Sequence, residues 1–448
     1  MHLTFADSLI YFLDMRKLFL ATIIITILFS SCKKEPDPVE ETGLTDAMAR
    51  DSLYFLMRQW YYWYDRMPAV KKENYSDPYE LMEAMVYPYY DKWSFVADYE
   101  EFNAEMAGEF VGHGIRIGVD DGQKARIAMI YKRSPLYRLG VRRGWIVRSV
   151  NGYDIAGILT RGDASSYNNV MGASTAGITN KFIFTRPDGT DVEITSAKSS
   201  FDVNSVLFYD TLHLSSGITG QLVFESFILP SPAELDSAFS FFDRCGIKDL
   251  ILDLRYNSGG YLHVAQSLAS EIAGQAVFAS GSAFATLQFN DKNLNENYTY
   301  KFSDPDYNLS FSRLVVISTR STASASEAVM NGLRPFMDVI TIGDTTNGKP
   351  VGMNGWSVEE KYWFWPITFK IINKNNEGDY FDGFVPDKPV PDDITHDFDD
   401  RNELCLKEAI RYLETGTFSS KRSGPDRFYR YPQYSEKPSW RSSGILLN

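Results

Sequence analysis

The chain has 448 residues, 44% of them hydrophobic and 23% charged, and carries a formal net charge of −13. That length allows two or three domains with a sizeable core, and the composition excludes a collagen, a coiled coil or a wholly disordered chain. The acidic balance argues against a nucleic-acid groove, so no nucleic-acid partner is expected.

Arg16 and Lys17 open an apolar run from Leu18 to Phe29 that ends in Ser30-Ser31-Cys32. A short basic start, about a dozen apolar residues and two small residues before a cysteine have the form of an export signal with a lipobox. The run is too short to span a bilayer, which takes about 20 residues. Residues 1–31 are therefore expected to be a signal peptide, with Cys32 carrying a lipid. A cleaved signal with an incidental Cys32 is the alternative. Asp7 and Asp14 make a poor signal start, which favours Met15 as initiator. The expected location is the cell envelope, lipid-anchored to a bacterial membrane on its periplasmic face or at the cell surface. Residues 32–44, charged and Pro-bearing, read as a flexible tether. Cys245 and Cys405 are too few for a disulfide framework and are expected to be buried thiols.

Residues 45–105 read as a small helical module. Thr45 can cap a helix whose apolar face includes Met48, Ser52, Leu56, Tyr61 and Tyr64, widened by Leu53, Met57 and Trp60. Asp77-Pro78-Tyr79-Glu80 opens a second helix with a capping side chain, Pro at the first position and Glu at the third.

The texture then turns to strands. Gly112-His113-Gly114 feeds an alternating strand, Ile127 to Tyr131 is another, Ser134-Pro135 starts a short helix, and Gly144 to Gly152 is a strand entering an Asn-Gly turn. Phe182 to Phe184 and Val192 to Ile194 flank a Pro-Asp-Gly turn as a closing hairpin. Together, residues 106–198 resemble a PDZ domain of the bacterial, protease-associated kind, although Trp145 stands where such domains usually have an acidic residue. The glycines of Gly112, His113, Gly114 and Ile115 could aim backbone N–H groups at a peptide's terminal carboxylate. Arg116-Ile117 would offer an edge for adding an extended peptide. The alternative is a domain-linking turn with His113 on the surface.

From residue 199 to 415 continuous apolar strands alternate with helices: Leu222 to Phe224, Leu250 to Leu254, Leu314 to Ile317 and Val339 to Ile342. This predicts an α/β core with a largely parallel sheet covered on both faces. Ser231-Pro232-Ala233-Glu234 reads as a capping box before a helix with Leu235, Ala238, Phe239 and Phe242 inward, and the helix after Asp253 buries Val264, Leu268 and Ile272. Residues 416–448 lack period and are expected to be a mobile tail.

Two turns of this core carry the candidate chemistry. Asp253-Leu254-Arg255-Tyr256-Asn257-Ser258-Gly259-Gly260 ends in a glycine pair that lets backbone N–H groups face a cleft. It could also be a plain strand–helix turn, whereas a phosphate loop lacks its Gly-Lys-Ser/Thr ending. Ser321-Thr322-Ala323-Ser324-Ala325-Ser326-Glu327 places serines at a helix N-terminus, in positive potential with free N–H groups. A lone serine there would be read as an N-cap, but three alternating serines flanked by alanines are more than a cap needs and also suit a nucleophile. A hydroxyl nucleophile needs a base, and none of the five histidines (His2, His113, His213, His263, His396) sits in a hydrolase motif. A buried lysine can serve once its pKa falls toward 7–8, and Lys349 lies in the turn after the fourth strand. No metal or cofactor motif is present.

Ser-Ala-Ser-Glu, a Gly-Lys 25 residues on (349 − 324), the Asp-Leu-Arg-x-Asn-x-Gly-Gly run and Gly383-Phe384-Val385-Pro386-Asp387 resemble the carboxy-terminal processing peptidases, or tail-specific proteases. The resemblance covers residues 106 to about 414. It implies a serine endopeptidase with Ser324 as nucleophile, Lys349 as base and the backbone N–H groups of Gly260 and Ala325 as oxyanion hole. It also implies a PDZ domain that receives the C-terminal end of protein or peptide substrates. Two positions depart from the family: Met353 replaces a glutamine that helps orient the lysine, and Pro335 an acidic residue. The competing readings are a catalytically weak, lipid-anchored PDZ protein that holds C-terminal peptides, and an interaction protein built on the same fold. An acyl-serine formed with a reactive probe separates them.

Overall fold

The structure, a computed structural model, describes residues 44–420, 434–435 and 445–447. The expected signal peptide, Cys32 and the tether up to residue 43 lie outside the described residues. From Asp46 onward the chain is a mixed α/β, multi-domain protein.

The apolar strands pair as their sequence suggests. A six-stranded sheet runs in the order Val206–Leu214, Gly217–Phe224, Asp249–Asp253, Arg313–Ser318, Val339–Gly343, Lys388–Pro389. Only the first pair is antiparallel; the other four are parallel. Asp249–Asp253 is buried along its whole length, the condition under which a continuous apolar strand is stable. Helix Ser231–Cys245 turns Leu235, Ala238, Phe239 and Phe242 inward and ends at Gly246 in the left-handed region. Helix Leu262–Ala279, broken at Gly274, buries Val264, Leu268 and Ile272. Helix Leu404–Thr415 seals the sheet with Leu406, Ala409 and Leu413 against Ile251, Val315, Ile317 and Ile342.

Several local expectations are corrected. Ser231 is the first helical residue rather than a cap; its hydroxyl donates to the Ser226 carbonyl, and Glu234 accepts from Ser205 Oγ and Val206 N. The first helix, Asp46–Trp60, buries the expected Leu53 and Met57 together with Ala49, whereas Met48 and Ser52 are exposed and Leu56 is half-buried. It stops at Trp60, so Tyr61 and Tyr64 do not belong to its face. Helix Pro78–Met85 starts as expected, with Asp77 accepting from Glu80 N. The N-terminal module is not purely helical: strand Phe95–Asp98 pairs with Tyr362–Trp365 of the core. Cys405 is buried, but Cys245 is only half-buried.

Between residues 106 and 198 lies a β domain. Its sheet runs Ile115–Val119, Ala125–Ile130, Ile146–Val150, Thr179–Thr185, Asp191–Ala197, over a core that includes Ile117, Ile127, Val147, Phe182 and Phe184. Strand Glu109–Gly112 leaves this sheet to pair with Ser199–Asp202.

The stretch expected to be a mobile tail contains two paired strands. Tyr434–Ser435 adds antiparallel to Arg116 and Ile117 on the edge of the β-domain sheet. Ile445–Leu447 adds parallel to Gly352–Asn354, at the edge of a second core sheet that also contains Ile367–Ile372, Ala283–Phe289 and Tyr298–Lys301. Strands of two and three residues leave no readable period in the sequence. Among the described residues no helix is long and apolar enough to cross a membrane.

Candidate active site

The parallel strands Arg313–Ser318 and Val339–Gly343 deliver two turns to the same end of the sheet. The first turn enters helix Ala325–Leu333, every residue of which is buried. Its small side chains are spent on docking. Thr322 Oγ1 donates to the Leu254 carbonyl at 2.8 Å, while Ala323 N and Ser326 Oγ both donate to the Asn257 carbonyl at 3.1 Å. Ser324 caps the helix with φ 62° and ψ −110°, a conformation that costs a side-chain-bearing residue about 1–3 kcal/mol and that clusters at functional sites. Its hydroxyl is fully buried and has no hydrogen-bond partner.

The second turn carries Lys349, also fully buried, with an amine that has no hydrogen-bond partner. Gly348 before it has φ 86°, and a Cβ there would lie 2.2 Å from the Phe381 carbonyl oxygen, so only glycine fits. The turn is held on its far side by Thr346 Oγ1, which accepts from Phe384 N at 2.8 Å. The Lys349 ammonium position lies 5.6 Å from the centroid of the Trp93 ring. An aromatic face attracts an ammonium by about 0.5–2 kcal/mol, and the carboxylates of Asp91 and Glu327 pull the same way. Burial outweighs them and holds the Lys349 amine well below the ordinary lysine range. The group is thus biased toward the neutral amine that a general base requires.

One carboxylate joins the two turns. Glu327 Oε2 accepts from Ser324 N and Lys349 N, both at 2.8 Å. Its Oε1 accepts from Gly348 N at 2.7 Å and Thr346 Oγ1 at 2.5 Å. Burial raises its pKa, and these four donors oppose the rise.

The glycine loop abuts this pair. A Cβ on Gly259, which has φ 110°, would lie 3.0 Å from Ser324 Cβ and 3.1 Å from Ala325 N. Asn257 shapes the loop, its Oδ1 accepting from Gly259 N at 2.9 Å and its Nδ2 donating to Phe224 O at 3.1 Å. Gly260 bridges Phe227 through the Gly259 carbonyl and the Tyr261 N–H on either side, so its own N–H stays outside the pairing. The Ala325 N–H, first of its helix, has no intrahelical acceptor. Beneath the loop, Arg255 is buried among Asp253, Asp392 and Glu403. Arg143 of the β domain reaches the same cluster through Tyr256 Oη at 2.7 Å and Asp392 Oδ1 at 3.3 Å.

The structure therefore brings Ser324, Lys349, Ala325 and the Gly259–Gly260 loop together. It places Gly112, His113, Gly114 and Ile115 elsewhere, all four buried in the β domain. His113 is not a surface residue: its ring lies 3.0 Å from Ser196 Oγ and 2.7 Å from Asn180 Oδ1. Gly114 is pinned by Ser134 and Phe201, which a Cβ would meet at 2.4 and 2.6 Å. Arg116-Ile117, expected as an edge for an added strand, pairs with residues 434–435. Met353 is buried in strand Val351–Asn354; the groups found around Lys349 are Trp93 and Glu327. Sequence reasoning missed Trp93, Asp91, Asn257 and the clamp made by Glu327. Only Glu327 had a local signal, the Ser-x-x-Glu spacing of a capping box. Among the described residues no cluster of His, Cys, Asp or Glu side chains could hold a metal ion.

Residues 218–390 match Peptidase family S41, and residues 50–95 match the Peptidase S41 N-terminal domain. A "Probable CtpA-like serine protease" of Staphylococcus saprophyticus is 22% identical over 327 residues, covering 70% of this chain and 62% of the relative. A protein of the same name from Staphylococcus epidermidis is 24% identical over 272 residues, covering 58% of this chain and 49% of the relative. The chain thus spans about half to three-fifths of the length of these relatives. The fold is similar to the crystal structure of a "Putative S41 protease" from Bacteroides fragilis. The TM-score is 0.65 at 22% identity, over 81% of this chain and 96% of that one.

Proposed function

We propose, from the matches of residues 218–390 and 50–95 to the Peptidase S41 family and its N-terminal domain, that the chain is a serine endopeptidase in which Ser324 and Lys349 form the catalytic pair. The observation that carries this reading is a buried, unpartnered hydroxyl and a buried, unpartnered amine whose backbones are clamped by one carboxylate.

In the reaction, Ser324 Oγ attacks the scissile carbonyl carbon while Lys349 Nζ takes the hydroxyl proton. Negative charge develops on the carbonyl oxygen, which accepts from the N–H groups of Gly260 and Ala325. Collapse breaks the C–N bond, the Lys349 ammonium returns its proton to the leaving amine, and an acyl-serine remains. Water, deprotonated by Lys349, then releases the second product as a carboxylic acid and restores Ser324. The step requires Oγ and Nζ to close to hydrogen-bond distance, a tightening common on substrate binding. Ser324→Ala and Lys349→Ala should each abolish hydrolysis of a fluorogenic peptide, and the double variant should be no worse than either. Near wild-type turnover in Lys349→Ala would require another base.

The β domain, in this reading, is a PDZ domain that takes the C-terminal end of a protein or peptide substrate on the Arg116-Ile117 edge. A peptide with a free C-terminus should be cut faster than its amidated twin; equal rates would refute tail recognition. Lipid attachment at Cys32 would hold the enzyme on a bacterial envelope membrane. Cys32→Ser should then move it from the membrane fraction to the soluble one.

A further inference from the structure

Ser324 and Lys349 are both fully buried, so the described state is closed to substrate until something moves. One segment of the chain pairs with elements that adjoin both turns. Ile445–Leu447 pairs in parallel with Gly352–Asn354, the strand that begins at Val351, two residues after Lys349. On its other side Leu446 N donates to the Gly260 carbonyl at 3.1 Å, and Leu446 bridges Tyr261. The segment thus lies between the glycine loop that abuts Ser324 and the strand that follows Lys349. The Leu446 side chain is buried at 5% exposure, and the segment packs against helix Leu262–Ala279. It is an edge strand of three residues, so it can leave without breaking the six-stranded sheet. The same stretch of chain supplies Tyr434–Ser435, added antiparallel to the β-domain edge. Two strand-adding edges, one on each domain, are filled by one polypeptide.

We propose that the cleft between Gly260–Tyr261 and Gly352–Asn354 is a docking site for an extended peptide strand with a buried apolar subsite, and that the chain's own Ile445–Leu447 is its resident occupant. Main-chain pairing tolerates most sequences, so the apolar subsite filled by Leu446 sets the preference for an aliphatic residue at that position of a bound peptide. A tethered segment acts at an effective concentration on the order of millimolar. A substrate strand must displace it, and the apparent affinity falls by the fraction of chains in which the cleft is open. The tail is then a competitor in cis. This consequence rests on the peptidase reading, but occupancy of the cleft does not.

The test uses the full chain carrying Ser324→Ala, so that nothing is cut, and a peptide spanning residues 441–448 with an N-terminal fluorophore, followed by anisotropy. Leu446→Asp in the chain puts a charge into an apolar site, expels the resident strand and should tighten peptide binding at least fivefold. Leu446→Met should behave as wild type, and Leu446→Ala, which adds no charge, should fall between. The same peptide with Asp in place of its first leucine should not compete. In the chain that keeps Ser324, Leu446→Asp should lower KM several-fold at unchanged kcat. Peptide affinity that is equal or weaker in both Leu446→Asp and Leu446→Ala would overturn the inference, leaving the segment a structural strut. Because the binding arm needs no catalysis, a failure of the Ser324–Lys349 chemistry would leave this result readable.

Discussion

Glu327→Gln is the perturbation whose effect can be worked most fully from the geometry. The carboxylate accepts from Ser324 N, Lys349 N, Gly348 N and Thr346 Oγ1. A glutamine has one carbonyl oxygen and one NH2 group. Its best placement keeps the oxygen toward Ser324 N and Lys349 N and turns the NH2 toward Thr346, whose hydroxyl can rotate to accept. Gly348 N–H is then left facing a donor. A buried unsatisfied N–H costs about 1–3 kcal/mol. Exchanging charge-assisted bonds for neutral ones at the other positions costs roughly 1 kcal/mol each, while removing a buried charge returns part of that. The net is a loss of about 3 kcal/mol, read as a shift in the denaturant midpoint at constant slope. The clamp also sets the spacing of the two turns, so kcat should fall further than stability accounts for at temperatures where the variant is folded. Destabilisation below about 1 kcal/mol with unchanged kcat would show that Glu327 is an ordinary helix cap and refute the clamp.

Gly259→Ala brings a Cβ to 3.0 Å from Ser324 Cβ at φ 110°, and a displacement of the nucleophile by a fraction of an ångström should cut kcat about a hundredfold; a variant with normal kcat would move the glycine requirement elsewhere. Lys349→Met tests the buried amine through stability. An unfolded lysine keeps its proton up to about its ordinary value of 10.5, whereas the folded amine loses it well below that. Between the two the unfolded state binds more protons, so wild-type stability rises with pH across that window. The methionine variant should lack this slope, gaining most over wild type at the low-pH end and nothing above the ordinary lysine pKa. Parallel pH–stability curves would place the charge elsewhere.

Legibility followed the range of each interaction. The inward face of Ser231–Cys245 was readable because four side chains at helical spacing are all buried. On Asp46–Trp60 the buried Leu53 and Met57 were readable, but Met48 and Ser52 are exposed, and Tyr61 and Tyr64 were counted into a helix that had already ended. Ser324 and Lys349 stood out through turn chemistry and a resemblance in motif order. The Trp93 ring beside Lys349 did not, since a contact between residues that distant in the chain writes nothing local into either segment. Glu327 was visible as a helix cap, and the cap reading is satisfied by one of its four bonds; the other three come from a turn 19 to 22 residues away. The peptide-facing role expected of Gly112 to Ile115 rested on glycine spacing. That spacing is equally met by Gly114 making room for Ser134 and Phe201.

The most direct measurement is covalent labelling by a small fluorophosphonate, with the modified residue located by peptide mass spectrometry and the labelling rate followed against pH. The account predicts one adduct per chain, on Ser324, forming faster as pH rises and Lys349 loses its proton, with none on Ser324→Ala and at most a trace on Lys349→Ala. An adduct on another residue, or labelling of Lys349→Ala at the wild-type rate, would contradict it.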